Sequence, residues 1–119
     1  MSDIEQLTLD SFTERLKFDE NGLIPAIIQD AGDGAVLMLG YMNRESLRMT
    51  LEKKKVTFWS RSRQVYWTKG ETSGNFLELI DLKADCDGDA LLVSAKAYGP
   101  TCHTNKRSCF SWRLAEWEK

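Results

Sequence analysis

An α+β fold dominated by β structure is predicted for this chain, and three observations predict it. Short runs rich in Val, Ile, Leu and aromatics recur along the sequence, Asn-Gly, Gly-Asp-Gly, Gly-Asn and Asp-Gly signals separate them, and only two stretches carry helix-start signals. At 119 residues and 42% apolar composition, one core is expected, burying roughly two thirds of the unfolded surface. The strands should form a compact mixed or antiparallel, barrel-like sheet with two short helices, as a single domain over residues 1–119.

Each element has its own warrant. Ser11-Phe-Thr-Glu14 has capping-box form, with Phe12, Leu16 and Phe18 as apolar contacts, and predicts a short N-terminal helix. Strands follow over Leu23–Gln29 and Ala35–Gly40. Asn43 can cap a second helix, in which Glu45 suits the positive end of the dipole, Leu47 and Leu51 share a stripe, and Lys53-Lys-Lys55 complements the C-terminal end. Further strands are expected over Val56–Ser60, Val65–Lys69, Phe76–Ala84, Ala90–Tyr98 and Cys109–Leu114. The run Ala90–Tyr98 partly alternates, Leu91, Val93, Ala95 and Ala97 on one face and Ser94, Lys96 and Tyr98 on the other, which implies a sheet with one buried face.

Bulk properties narrow the function. Sixteen Lys and Arg against 18 Asp and Glu give a net charge of −2, so no overall field draws nucleic acid or an anionic membrane and any anion site must be local. The opening Met1-Ser-Asp-Ile-Glu-Gln has no leader pattern, and no apolar run approaches the ~20 residues of a membrane span. A cytoplasmic protein is expected. Three cysteines, an odd number, argue against a disulfide framework there and leave metal ligands or buried apolar thiols open.

Cys86 lies within Asp85-Cys86-Asp87-Gly88-Asp89, and Cys102 and Cys109 follow in Gly99-Pro-Thr-Cys-His-Thr-Asn-Lys-Arg-Ser-Cys109. Thiolates are soft ligands that favour zinc, whereas closely spaced carboxylates are hard ligands that favour magnesium or calcium. Asp85, Asp87 and Asp89 begin like an EF-hand loop, but Ala90 and Lys96 stand where that loop needs Gly and a bidentate Glu. Three carboxylates at this spacing can still converge on a hard cation, or form only an acidic turn. The C-x15-C-x6-C spacing lacks the paired knuckles of structural zinc modules. Three thiolates leave a fourth position for water unless His103, the only histidine, fills it. An open position is what catalytic zinc requires, and His103 would then serve as a general base, or else be an ordinary surface histidine.

A third constellation runs from Phe58 to Asn75. In fully extended backbone Trp59, Arg61, Arg63, Trp67 and Lys69 would share one face, pairing flat π surfaces with positive charge as a purine and its phosphates require. A turn around Ser62 to Gln64 would break that parity but keep two aromatic-basic strands as neighbours. Beyond them Gly70 and Gly74 flank small polar residues, and Ser73, Gly74 and Asn75 are candidates for an anion nest without P-loop spacing.

Together these segments, from about Leu16 to Trp112, resemble the phosphoribosyl-AMP cyclohydrolase family of histidine biosynthesis. The motifs that carry the resemblance are Leu39-Gly-Tyr-Met-Asn43, Phe58-Trp-Ser-Arg-Ser-Arg63, Trp67-Thr-Lys-Gly-Glu-Thr-Ser-Gly-Asn75, Asp85-Cys-Asp-Gly-Asp89 and Cys102-His103 to Cys109. The resemblance implies one zinc per subunit on Cys86, Cys102 and Cys109, magnesium on Asp85, Asp87 and Asp89, and a homodimer with zinc ligands shared between subunits. It also implies hydrolysis of the N1–C6 bond of N1-(5-phosphoribosyl)-AMP by zinc-bound hydroxide, giving the formimino-aminoimidazole carboxamide ribotide. Some members are fused to a phosphoribosyl-ATP pyrophosphatase, an activity not expected of a sequence ending at Lys119. Two rivals remain: a structural-zinc module for single-stranded nucleic acid, which the net charge and the acidic run oppose, and a β domain with buried thiols and no metal.

Overall fold

The computed structural model describes residues 4–115; residues 1–3 and 116–119, which include the start of the opening segment and Lys119, lie outside it. In chain order the elements are α1 (Leu9–Glu14), β1 (Ile24–Asp30), β2 (Val36–Met42), α2 (Arg44–Lys53), β3 (Thr57–Ser60), β4 (Val65–Thr68), β5 (Leu77–Ala84) and β6 (Leu91–Ala97). A mixed α+β, mostly sheet architecture is therefore as expected. The strands form a four-stranded sheet in the order β2-β1-β6-β5 and a separate two-stranded ribbon, β3-β4. Neither sheet closes, which corrects the barrel-like expectation: β2 and β5 end the order without pairing with each other, and only a single bridge, Lys55 to Glu78, ties the segment before β3 to β5.

Within the larger sheet β1 pairs antiparallel with β2 and parallel with β6, and β5 pairs antiparallel with β6. Period-2 alternation turns Ile24, Ala26 and Ile28 of β1 and Leu91, Val93 and Ala95 of β6 into one core face, all buried. Leu16, Leu37, Met38, Met42, Leu47, Val56, Phe58 and Leu77 complete the same cluster. Burying each large side chain contributes about 1.5–3 kcal/mol before entropic costs. Gly40 lets the β3-β4 ribbon approach, because a Cβ there would lie 2.5 Å from Phe58 Cδ1.

The helices are fixed at their ends. Asn43 Oδ1 accepts the Ser46 N–H at 2.8 Å and Ser46 Oγ accepts the Asn43 N–H at 2.9 Å, a reciprocal cap at the expected position. Lys54 ends α2 in the left-handed region at φ 61°. For α1 the expected cap is corrected: the helix starts at Leu9, and Thr8 Oγ1 accepts the Ser11 N–H, so Ser11 is the third helical residue. The expected strand Cys109–Leu114 is also absent. The Cys109 N–H bonds Leu37 O at 2.8 Å, but no partner strand continues the ladder, and Phe110, Trp112 and Leu114 stay exposed, Trp112 at 95%.

Candidate functional site

The β5–β6 connection holds the carboxylates. Asp85 N–H donates to Ala90 O at 3.0 Å and Gly88 N–H to Asp85 O at 3.0 Å, curling the backbone so that Asp85, Asp87 and Asp89 each place an oxygen within 4.8 Å of the others. Gly88 is required twice over: its φ is +74°, and a Cβ would lie 2.5 Å from Arg15 O. The Lys17 N–H also donates to Gly88 O at 2.7 Å, so the chain just after α1 braces the turn. Burial pushes Asp85 up, but hydrogen bonds from the Asp89 carboxyl and the Asp89 N–H outweigh it and hold Asp85 below the usual range. The same Asp85 contact and its charge push Asp89 up. Crowded carboxylate oxygens of this kind repel one another, and a hard cation would relieve that repulsion. Cys86 lies in this turn with Sγ 3.8 Å from Asp87 Oδ1, and a cleft of about 1120 Å³ between residues 4–17 and β5 reaches it.

Cys102 and Cys109 both lie in the segment after β6, near enough for each thiol to influence the other's proton affinity. Thr104 lowers the Cys102 thiol through its hydroxyl, 3.0 Å from Sγ, and its backbone N–H. Cys109 is exposed by area, yet the atoms packed under its sulfur and the adjoining Cys102 push its thiol up, against the lowering effect of Lys69. His103 is exposed in the turn that follows Cys102. Thr101 is buried, and its Oγ1 has no hydrogen-bond partner.

The aromatic-basic constellation forms the β3-β4 hairpin. A turn closed by the Gln64 N–H to Ser60 O, with Gln64 at φ 56°, breaks the extended parity. Register then pairs Phe58 with Trp67 and Trp59 with Tyr66, so the two tryptophans lie on opposite faces of the ribbon, not on one. Both still border a groove of about 570 Å³ between the hairpin and Met38–Tyr41, where Arg61 and Arg63 are exposed. The Arg61 guanidinium stacks 3.8 Å from the Tyr41 ring centroid. Lys69 is buried next to Trp67 and Cys109 and away from the groove lining. Ser73 and Gly74 are exposed, and Asn75 packs between Gly70 and Gly99.

The structure thus offers three clustered carboxylates, two thiols in one segment, and a separate groove whose lining begins at Met38, the residue after the Leu37 that Cys109 bonds. It does not unite the three cysteines. Cys86 precedes β6, at the end of the sheet where β1 and β6 begin, whereas Cys109 bonds Leu37 next to the far end of β1. Two contributors escape a reading of the sequence alone. Tyr41 stands out in the sequence only as part of Leu39–Asn43, with no sign that it would meet Arg61, and Arg107, which meets Asp30 and Asp33, carries no local signal of so distant a pairing.

Fold and site define an α+β protein whose reactive groups are of metal-ligating type, hard carboxylates and free thiols, rather than a disulfide scaffold. The family model for phosphoribosyl-AMP cyclohydrolase matches residues 38–111. A phosphoribosyl-AMP cyclohydrolase of Ruegeria pomeroyi is 55% identical over 104 residues, covering 87% of each chain. One of Chlorobaculum tepidum is 54% identical over 113 residues, 95% of this chain and 82% of that protein. One of Roseobacter denitrificans is 60% identical over 97 residues, 82% of this chain and 76% of that protein. The chain belongs to the phosphoribosyl-AMP cyclohydrolase family.

Proposed function

We propose that this chain is the histidine-biosynthesis hydrolase that opens the adenine ring of N1-(5-phosphoribosyl)-AMP at N1–C6. The observation that carries the reading is the groove walled by Trp59, Trp67, Arg61 and Arg63, whose β2 side begins one residue after the Leu37 that holds the Cys109 N–H, in a chain of this family. It acts as a single domain on a small nucleotide.

The donor sets fit the two metals. Asp85, Asp87 and Asp89 suit magnesium, as oxygens that already crowd one another. Cys102 and Cys109 suit zinc, one thiol being lowered and the other adjoining it. Cys86 supplies the third thiolate from a second copy of the chain, since one chain holds it at the opposite end of the sheet. Exposed Phe110, Trp112 and Leu114 support a homodimer with shared ligands, because a subunit interface would cover them. When bound, zinc lowers the pKa of water at its open position to about 7, making a nucleophile available at neutral pH.

The chain's own groups do the rest. A ribosyl group on N1 leaves the ring electrophilic at C6. His103, one residue from Cys102, takes the proton of the attacking water and returns it to N1 as N1–C6 breaks and C6 becomes the carboxamide carbon. The hairpin aromatics hold the purine, Arg61 on Tyr41 and Arg63 take phosphate oxygens, and Lys69 adds positive charge beside Cys109. Ser73, Gly74 and Asn75 offer further donors to the second phosphate. Purified protein mixed with phosphoribosyl-AMP should show the ultraviolet change of purine opening, abolished by chelator and restored by metal. No chelator-sensitive change would sink the reading.

A further inference from the structure

Residues 102–109 form neither helix nor strand, so no ladder sets the spacing of the two thiols. The loop is closed internally: Cys102 N–H bonds Lys106 O at 3.0 Å, Asn105 N–H bonds Cys102 O at 2.9 Å with Asn105 at φ 67°, and Thr101 N–H bonds Arg107 O at 3.2 Å. Cys109 has its own anchor on β2, through its N–H to Leu37 O at 2.8 Å and Ser108 Oγ to Val36 O at 2.8 Å. The Cys102 loop has a different one. Among the described residues, the hydrogen bonds from 101–107 to the β1–β2 hairpin run through the Arg107 side chain.

Arg107 Nη2 donates to both Asp33 oxygens at 2.9 Å and lies 3.2 Å from Asp30 Oδ2. Those carboxylates are fixed in turn. Asp30 Oδ1 accepts the Gly32 N–H at 2.7 Å and the Asp33 N–H at 3.2 Å, and Asp33 Oδ1 accepts the Ala35 N–H at 3.0 Å. Arg107 is therefore a joint: its backbone closes the Cys102 loop, its side chain grips a rigid turn, and two residues on stands Cys109.

We infer that Arg107, held by Asp30 and Asp33, is a positioning residue that sets the separation of the Cys102 and Cys109 sulfurs and so their affinity for a thiolate-ligated metal. The inference rests on the zinc reading above. Arg107 and Asp33 are both exposed, and exposed pairs contribute little to global stability. Geometry is where such a pair can matter, because Nη2 of the planar guanidinium donates along two fixed directions, whereas a lysine ammonium rotates freely.

Zinc affinity, by competition with a chromophoric chelator, and the thiolate charge-transfer absorbance of the cadmium form separate the possibilities. Arg107→Gln and Asp33→Asn should each weaken zinc about 10–100-fold, the range for partners that orient metal ligands. The double variant should be no weaker than Arg107→Gln alone, Arg107→Lys should recover only part of the loss, and the metal-free melting temperature should stay near wild type. Wild-type affinity in Arg107→Gln overturns the inference, as does a loss matched by a lowered metal-free melting temperature. If Arg107→Gln does not fold, Asp33→Asn decides alone by the same criteria. Cys109→Ala runs alongside: if it too keeps full affinity, the zinc reading fails and this inference with it.

Discussion

Cys102 and Cys109 adjoin yet differ in proton affinity, and the difference has a local cause: Thr104 stabilises one thiolate, while burial disfavours the other. On the proposed zinc reading each sulfur is a ligand and the neighbouring His103 is not. In His103→Ala zinc content should be unchanged and kcat lowered about 10²- to 10⁴-fold, the usual worth of a positioned acid–base group. An unaltered pH–rate profile in that variant would remove His103 from proton transfer. Asp30 carries a second residue-level consequence. The N–H groups of Gly32 and Asp33, and then Arg107, hold its carboxyl below 3.8, so the folded state favours the ionised form. Its contribution is whole above about pH 4 and is lost as pH falls through the lowered value. Metal-free Asp30→Asn should melt at a temperature that falls less steeply below pH 4 than wild type; parallel curves would contradict this. The site residues were legible at this scale by type, since thiols, carboxylates and a lone histidine declare their chemistry. Their facing was not: four turn residues between β3 and β4 put Trp59 and Trp67 on opposite sides of the ribbon.

At the scale of elements, contact between β2 and the β3-β4 hairpin makes the groove. Gly40 permits it by leaving Phe58 room. Gly40→Ala should destabilise the fold by about 1–3 kcal/mol through overpacking, read from the urea midpoint, and should also weaken substrate binding by lifting the hairpin. Unchanged stability would mean that the ribbon shifts without cost. Helix α2 was readable because Asn43 and Ser46 cap one another within four residues. Local chemistry of that kind survives folding. Helix α1 was displaced by its real cap, Thr8, because a Ser-x-x-Glu pattern is also satisfied inside a helix. The run 109–114 had strand composition, but a strand exists only with a neighbour, and among the described residues none pairs with it beyond Cys109.

The whole molecule decides what the cysteines can do. Which end of the sheet each one occupies depends on the parallel β1–β6 pair, a contact between residues more than sixty positions apart that no short-range pattern reveals. Placing Cys86 at one end and Cys102 with Cys109 at the other predicts complementation. Cys86→Ala and Cys109→Ala should each be inactive, yet unfolding and refolding them together should restore about a quarter of wild-type activity. Half of the resulting twofold dimers are mixed, with one intact site of two. No recovery from the mixture would mean that each chain assembles its own site.

The parallel pair also governs when the protein can begin to exist. With Ala26–Asp30 lying between β2 and Leu91–Ala95, the middle of the sheet waits for β6 to be synthesised. A nascent chain lacking β6 can form the β1–β2 and β3–β4 hairpins but exposes Ile24, Ala26 and Ile28, a sticky surface awaiting its partner. An unpaired β1 edge during translation is thus built into the strand order, and a ribosome stalled before Leu91 would display a β-hairpin in place of the complete sheet.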